Sequence, residues 1–160
     1  MILSLDLARQ YGWAEGRAGE APRFGSERFA PAGAPVEDVF AGVIRQIAPR
    51  LAAFRPDILV YEAPSLFQLR DGKSTPATAE CLLGIPAIVQ GLARHLGIQR
   101  VYKAQTSSVR KHFLGNGRMP RAEAKKAVVA ECRRRGWEVR NDDEGDACAI
   151  WDYSTASIGA

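Results

Sequence analysis

The sequence has few of the residues that build zinc sites or disulfide frameworks. Its 160 residues include three cysteines and two histidines. Cys81, Cys132 and Cys148 are odd in number and far apart, and no CxxC pair occurs. This spacing argues against zinc binding and thiol redox chemistry. We therefore expect three reduced thiols in the core.

Long hydrophobic runs are also missing. No uninterrupted apolar stretch approaches the roughly 20 residues needed to cross a bilayer. The first residues lack a basic segment followed by an apolar run and a cleavage site. We therefore expect a soluble, cytoplasmic protein without a membrane partner. A length of 160 residues suits one domain, residues 1–160. An actin-like ATP-binding protein would need glycine-rich phosphate loops in a second domain. A length of 160 residues cannot supply that domain, which argues against this class.

The net charge of +4 conceals an uneven distribution. Residues 100–140 contain twelve Lys or Arg and three Glu, a net charge of 12 − 3 = +9, so the remainder carries 4 − 9 = −5. Basic residues hold phosphates, and carboxylates hold the cations that catalyse their cleavage. This division of charge is typical of a nuclease.

Carboxylates stand where short apolar runs end. Asp6 follows residues 1–5, and Glu62 follows the run that ends at Tyr61. Asp143 and Asp146 are three residues apart, which places them on one face of a helix. Each acid alone has a structural explanation, such as a helix N-cap at Asp143. Together they come from three distant segments that one parallel sheet could bring to the same edge.

This set of ligands indicates the metal as well as the site. Carboxylate oxygens without a histidine cluster favour Mg²⁺ or Mn²⁺ over zinc or iron. Two such ions in one site are a common device for cutting phosphodiesters. The sequence therefore predicts a two-metal site and phosphodiester hydrolysis.

The order of predicted elements indicates an α/β fold. Strands are expected at residues 1–7, 11–17, 23–29, 58–61 and 100–103. Apolar residues at a spacing of 3.6 predict a helix from about residue 34, whose last turn Pro49 should kink or shorten. Further helices are expected at 78–96, 105–114, 121–135 and 143–157. Gly84 and Pro86 should interrupt the first of these, and residues 63–76 are expected to form a loop. This order matches the ribonuclease H-like fold, a mixed five-stranded sheet flanked by helices.

Three motifs resemble those of the RuvC-type Holliday junction resolvases, most closely the shorter forms of phages and prophages. Ile2-Leu3-Ser4-Leu5-Asp6-Leu7 is similar to the family's opening strand with its first catalytic Asp. Leu59-Val60-Tyr61-Glu62 is similar to the strand that ends in its catalytic Glu. Asn141-Asp142-Asp143-Glu144-Gly145-Asp146 is similar to its last acidic motif. The resemblance implies that Asp6, Glu62, Asp143 and Asp146 are the catalytic metal ligands.

The resemblance also implies DNA-binding residues. The segment from Val109 to Gly117 is similar to a family motif in which a basic residue precedes a glycine-x-glycine turn. Arg110 takes the place of a DNA-contacting lysine, and Lys111 is next to it. A further basic residue is expected after the turn, where Arg121, Lys125 and Lys126 remain alternatives. In the loop 63–76, Phe67 is the candidate aromatic wedge, and Arg70 and Lys73 would meet the branch point.

The implied function is cleavage of four-way junctions or related branched DNA, in DNA recombination or repair, by paired nicks that leave 5′-phosphates. The expected cofactors are two Mg²⁺ or Mn²⁺ ions per site. A two-fold symmetric substrate favours a homodimer. Two explanations of the apolar helix at 78–96 remain, a contact for that dimer and the more ordinary one, a core helix that covers the sheet. The sequence identifies no helicase partner. Two alternatives remain, a monomeric ribonuclease H-like nuclease acting on RNA or flaps, and a module that binds branched DNA without cutting it.

Overall fold

The computed structural model describes residues 1–65 and 75–158, which form one five-stranded sheet with helices on both faces. The strands are β1 (Ile2–Asp6), β2 (Gln10–Gly16), β3 (Arg23–Arg28), β4 (Ile58–Glu62) and β5 (Arg100–Ala104). The helices in these residues are α1 (Val36–Phe54), α2 (Pro76–His95), α3 (Thr106–Leu114), α4 (Arg121–Arg134) and α5 (Asp142–Ser157).

The sheet is mixed, and its strand order is β3-β2-β1-β4-β5. The first three strands form an antiparallel meander, whereas β1, β4 and β5 run parallel to one another. The carboxyl ends of β1 and β4 therefore reach the same edge of the sheet, and these ends are Asp6 and Glu62. The predicted fold class, a mixed five-stranded sheet flanked by helices, is confirmed.

Alternating side chains of the sheet feed two separate cores, as the two-residue period of a strand requires. Leu3 and Leu5 face α1 and α2, whereas Ile2 faces α4 and α5. Cys81 lies in the first core, and Cys132 and Cys148 lie in the second. All three thiols are free and buried, which confirms the prediction for the cysteines.

The predicted interruption of α2 was wrong, because α2 runs without a break through Gly84 and Pro86. Helix α1 continues past Pro49 to Phe54, so Pro49 does not end it early. Gly84 is needed for packing, because a Cβ there would lie 2.4 Å from the ring of Phe40. The contact between α1 and α2 therefore outweighs the local cost of these residues.

Helix α2 is also long and apolar enough to span a membrane by length and composition, with a mean hydropathy of 1.3. A core helix passes the same test. Cys81, Ile85, Val89 and Ala93 of α2 are buried in the core that it shares with α1. The described contacts of α2 are thus those of a helix covering a sheet.

Helix α5 lies unusually close to the hairpin of β1 and β2. A Cβ at Gly12 would stand 1.9 Å from the backbone oxygen of Asp143, so only glycine allows this approach. The buried Ser4 hydroxyl lies between the two elements, 3.1 Å from the carbonyl oxygen of Ala14 and 2.8 Å from that of Ala147. The register places Gly12 directly opposite Asp6. This seating brings the first turn of α5 to the end of β1.

We predict that Gly12→Ala destabilises the protein by about 3 kcal/mol or more, because the new methyl group would collide with backbone that cannot rotate away. Urea unfolding followed by circular dichroism measures the change. Gly91→Ala is the matched control, since Gly91 lies inside α2 with no atom within 4 Å of a built Cβ. That control should gain up to about 1 kcal/mol from helix propensity. Equal stability of Gly12→Ala and wild type would contradict the close approach of α5.

Candidate functional site

The predicted acidic residues meet in one cavity at the carboxyl edge of the sheet. Asp6 ends β1, Glu62 ends β4, and Asp143 and Asp146 lie in the first turns of α5. All four line a cavity of about 410 Å³. The Asn141 side chain caps α5 by accepting the backbone N–H of Glu144 at 3.0 Å, which fixes where the helix begins. Three distant segments thus supply carboxylates to a single site.

The proximity of these acids perturbs their ionisation. Burial raises the pKa of Asp6 well above its usual value, and the charges of Asp146, Glu62 and Asp143 raise it further. Burial and the neighbouring Glu62 raise the pKa of Asp146 to about 7. Strongly perturbed pKa values of this kind cluster at functional sites. Among the described residues, the cavity is lined by these four carboxylates and by three basic side chains, those of Arg110, Arg121 and Lys125.

Two of the four carboxylates are oriented by neutral donors. The Thr106 hydroxyl, at the first residue of α3, donates to Glu62 Oε1 at 2.6 Å. The Gln10 amide, at the first residue of β2, donates to Asp143 Oδ2 at 2.5 Å. Burial raises the pKa of Asp143, and this hydrogen bond from Gln10 opposes the rise.

Lys125 of α4 brings an ammonium group into the same cavity. It pairs with Asp142, the first residue of α5. This hydrogen bond lowers the pKa of Asp142. Burial opposes ionisation of Lys125, but the pairing with Asp142 outweighs it and raises the pKa of Lys125. The ion pair joins α4 to the start of α5 beside the acids.

The donor set suits a hard divalent cation. Every candidate ligand is a carboxylate oxygen, as Mg²⁺ and Mn²⁺ prefer. Within residues 1–65 and 75–158, however, no group of three or more Asp, Glu, His or Cys side chains could hold an ion as it stands. The carboxylates thus fit the metals in their chemistry and in their common location.

The structure separates the predicted DNA-binding residues. Arg110, Arg121 and Lys125 line the acidic cavity, whereas Lys126 is exposed outside it. Lys111 lines a different hollow, of about 420 Å³, beside the turn that contains Asn116. Phe67, Arg70 and Lys73 lie outside the described residues.

Sequence reasoning missed three participants in this site, Gln10, Thr106 and Asp142. Thr106 follows the end of β5 by two residues. Because β4 and β5 are parallel, Thr106 lies at the same edge of the sheet as Glu62, which ends β4. Asp142 belongs to the acidic run that begins α5, and no role was predicted for it from the sequence. No comparable signal exists for Gln10, because its position depends on how α5 sits over the hairpin.

A larger hollow, of about 810 Å³, lies at the opposite end of the sheet. It is lined by the arginines Arg17, Arg55 and Arg100 and by one carboxylate, that of Asp57. Asp57 pairs with the N-terminal amine of Met1 at 2.5 Å. The described lining of this hollow contains no cluster of carboxylates, and the smaller cavity is therefore the candidate catalytic site.

Two solved structures share the fold of this chain. One is the structure of Thermus thermophilus RuvC, with a TM-score of 0.70 and 18% identity, covering 99% of this chain and 96% of that chain. The other is T. thermophilus RuvC in complex with a Holliday junction substrate, with a TM-score of 0.71 and 17% identity, covering 99% and 95%. No protein-family model and no curated protein sequence matches the chain. At these identities the likeness establishes the fold, and it confirms the predicted resemblance at that level.

We predict that Asp146→Asn stabilises the protein at pH 8 by roughly 2 to 4 kcal/mol, since one pH unit of pKa shift corresponds to about 1.4 kcal/mol. Folded Asp146 keeps its proton up to about pH 7, whereas the unfolded chain releases it near pH 3.9. The wild type therefore loses stability as the pH rises through this window, and the variant avoids that loss. At pH 4 the two should be nearly equal.

Urea unfolding at both pH values, with chelator present, measures the difference. Asp38→Asn is the control, because Asp38 is an exposed acid in the first turn of α1. It should show no comparable gain at pH 8. An Asp146→Asn variant with wild-type stability at pH 8 would show that folding does not raise the pKa of Asp146.

Proposed function

We propose that this protein is a metal-dependent endodeoxyribonuclease that resolves four-way junctions or related branched DNA by paired nicks leaving 5′-phosphates. The observation that carries the proposal is the convergence of Asp6, Glu62, Asp143 and Asp146 in one cavity bordered by basic residues. Carboxylates for cations beside cations for phosphates are what phosphodiester hydrolysis needs. The fold shared with T. thermophilus RuvC in complex with a Holliday junction substrate supports the choice of substrate.

The four carboxylates would hold two Mg²⁺ or Mn²⁺ ions. When bound, such ions would supply an activated water for attack on the scissile phosphate and would stabilise the leaving oxygen. Asp6 is the central ligand of the proposal, because the charges of the other three acids all act on it. Its position at the end of a buried strand fixes it more firmly than a loop would.

Basic side chains from α3 and α4 would hold the DNA backbone. Arg110 and Arg121 line the cavity from two different helices and would contact phosphates there. Lys125 would support Asp142 and add positive charge near the acids. Contacts of this kind fix the register of the DNA and read no base sequence.

A homodimer would supply the second nick. Ile44 of α1 is 51% exposed and Leu83 of α2 is 47% exposed. Ile44 lies one helical turn from Phe40, whose ring packs against Gly84 beside Leu83. An apolar surface that spans two packed helices suits a second copy of the chain, and a two-fold axis matches the symmetry of a four-way junction.

We predict that Asp6→Asn retains junction binding but loses cleavage by at least about 10³-fold, since it removes the central negative charge from the metal ligands. The assay uses a labelled synthetic four-way junction with Mg²⁺ or Mn²⁺, beside a flap, a linear duplex and an RNA:DNA hybrid. Binding is measured by gel shift with Ca²⁺. Asp38→Asn should cut like wild type.

Paired nicks confined to the junction would support the proposal. Cutting of the flap or hybrid while the junction is spared would instead indicate the monomeric nuclease. Junction binding without cleavage by wild type, with either metal, would indicate a binding module. Unchanged cleavage by Asp6→Asn would remove Asp6 from the site.

We predict that Leu83→Glu converts a dimer into a monomer, because a charge would be buried at the interface. Light scattering should give twice the chain mass of 17.4 kDa for wild type and a single chain mass for the variant. Leu96→Glu is the matched control, since Leu96 is 40% exposed just beyond the end of α2. It should remain dimeric. A monomeric wild type that still makes paired nicks would contradict the two-site arrangement.

A further inference from the structure

The four carboxylates of the site are not held alike. Among the described residues, Glu62 and Asp143 each accept a side-chain hydrogen bond from a neutral donor, Thr106 and Gln10 respectively. These bonds, at 2.6 and 2.5 Å, are among the shorter side-chain hydrogen bonds of the protein. Each occupies one carboxylate oxygen and leaves the other available to a cation.

Thr106 is well placed to fix the side chain of Glu62. The backbone N–H of Ala63 donates to the carbonyl oxygen of Ala104 at 2.8 Å, which extends the pairing of β4 and β5 beyond Glu62. The backbones that carry the two partners are therefore held together, and the Thr106 hydroxyl spans a short, fixed gap. Arg110 lies four residues further along α3, on the same helix face, and lines the same cavity.

Gln10 has the corresponding role at Asp143. It is two residues before Gly12 in β2, so both point to the same side of the strand. Gly12 lies beneath the backbone oxygen of Asp143, and the Gln10 amide reaches the side chain of the same residue. Backbone and side chain of Asp143 are thus both located from β2.

Neutral donors suit this task better than cations. A hydroxyl or an amide orients a carboxylate without cancelling the charge that attracts a metal ion. An arginine or lysine in the same place would compete with the ion for the carboxylate. Partners of this kind typically change metal affinity by about tenfold to a hundredfold when removed.

We propose that Thr106 and Gln10 are positioning residues that set the divalent-metal affinity of this site by fixing Glu62 and Asp143. The inference rests on the proposed function, because it assumes that these carboxylates bind the metal. It assigns specific work to two residues that themselves carry no charge and that contact neither metal nor DNA in the proposal.

The test is Mn²⁺ binding by calorimetry and by electron paramagnetic resonance, without DNA. Thr106→Val keeps the shape of the side chain and removes the donor, and it should weaken Mn²⁺ binding by about tenfold to a hundredfold. Thr106→Ser keeps the hydroxyl and should bind within about threefold of wild type. Gln10→Met should weaken binding in the same way as Thr106→Val.

Ser107→Ala is the matched control, since Ser107 is exposed in the same turn of α3 and does not line the acidic cavity. It should bind Mn²⁺ like wild type. Thermal unfolding of every variant with chelator present separates loss of affinity from loss of folding. Thr106→Val and Gln10→Met that bind Mn²⁺ like wild type would overturn the inference, as would a Thr106→Ser variant as weak as Thr106→Val.

The Asp6→Asn variant distinguishes a failure of the proposed function from a failure of the positioning role of Thr106 and Gln10. If wild type binds Mn²⁺ and Asp6→Asn does not, the metal site stands, and the Thr106 and Gln10 variants decide the inference alone. If wild type fails to bind Mn²⁺, or Asp6→Asn binds equally well, the proposed function fails first and the inference fails with it.

Discussion

The close seating of α5 on the β1–β2 hairpin is the constraint on which the site depends. It exists because position 12 has no side chain, which lets the backbone oxygen of Asp143 approach to a distance that a Cβ would forbid. Ser4 secures the same contact with its buried hydroxyl, which lies close to the carbonyl oxygens of both β2 and α5. This close packing of α5 against Gly12 brings Asp143 and Asp146 to the end of β1, where Asp6 lies. The packing of α5 on the sheet therefore also determines the positions of the carboxylates.

The same seating has an electrostatic cost. Burial raises the pKa of Asp6 and of Asp146, and the neighbouring carboxylates, Glu62 for Asp146 and all three other acids for Asp6, raise it further. A protein selected for stability alone would replace such a cluster with neutral side chains. Retaining it makes sense if a cation offsets the repulsion during function. The raised pKa values of Asp6 and Asp146 and the proposed metal dependence then both follow from the same cluster of carboxylates.

The sequence predicted the parts of the site that follow from strand ends. Asp6 and Glu62 could be placed because apolar runs mark buried strands, and parallel strands end at a common edge. Gly84 and Pro86 were misjudged because a breaker is a local signal, whereas the packing of Phe40 against α2 is tertiary. The choice among Arg121, Lys125 and Lys126 depended on the rotation of α4 about its axis, which the sequence of this helix does not define. The contact of Gln10 with Asp143 could not be predicted, because it depends on where α5 packs on the β1–β2 hairpin.

The chemistry of the cavity bears on substrate selection. Among the described residues, the basic side chains of the cavity are those of Arg110, Arg121 and Lys125, and one of them is already held by Asp142. Cationic donors recognise phosphates, which every duplex presents in the same way. These three residues alone would not distinguish a branched substrate from a linear one. If the protein is selective for junctions, the selectivity has to come from elsewhere, and the relative placement of two such sites across a two-fold axis is a property that a linear duplex cannot match.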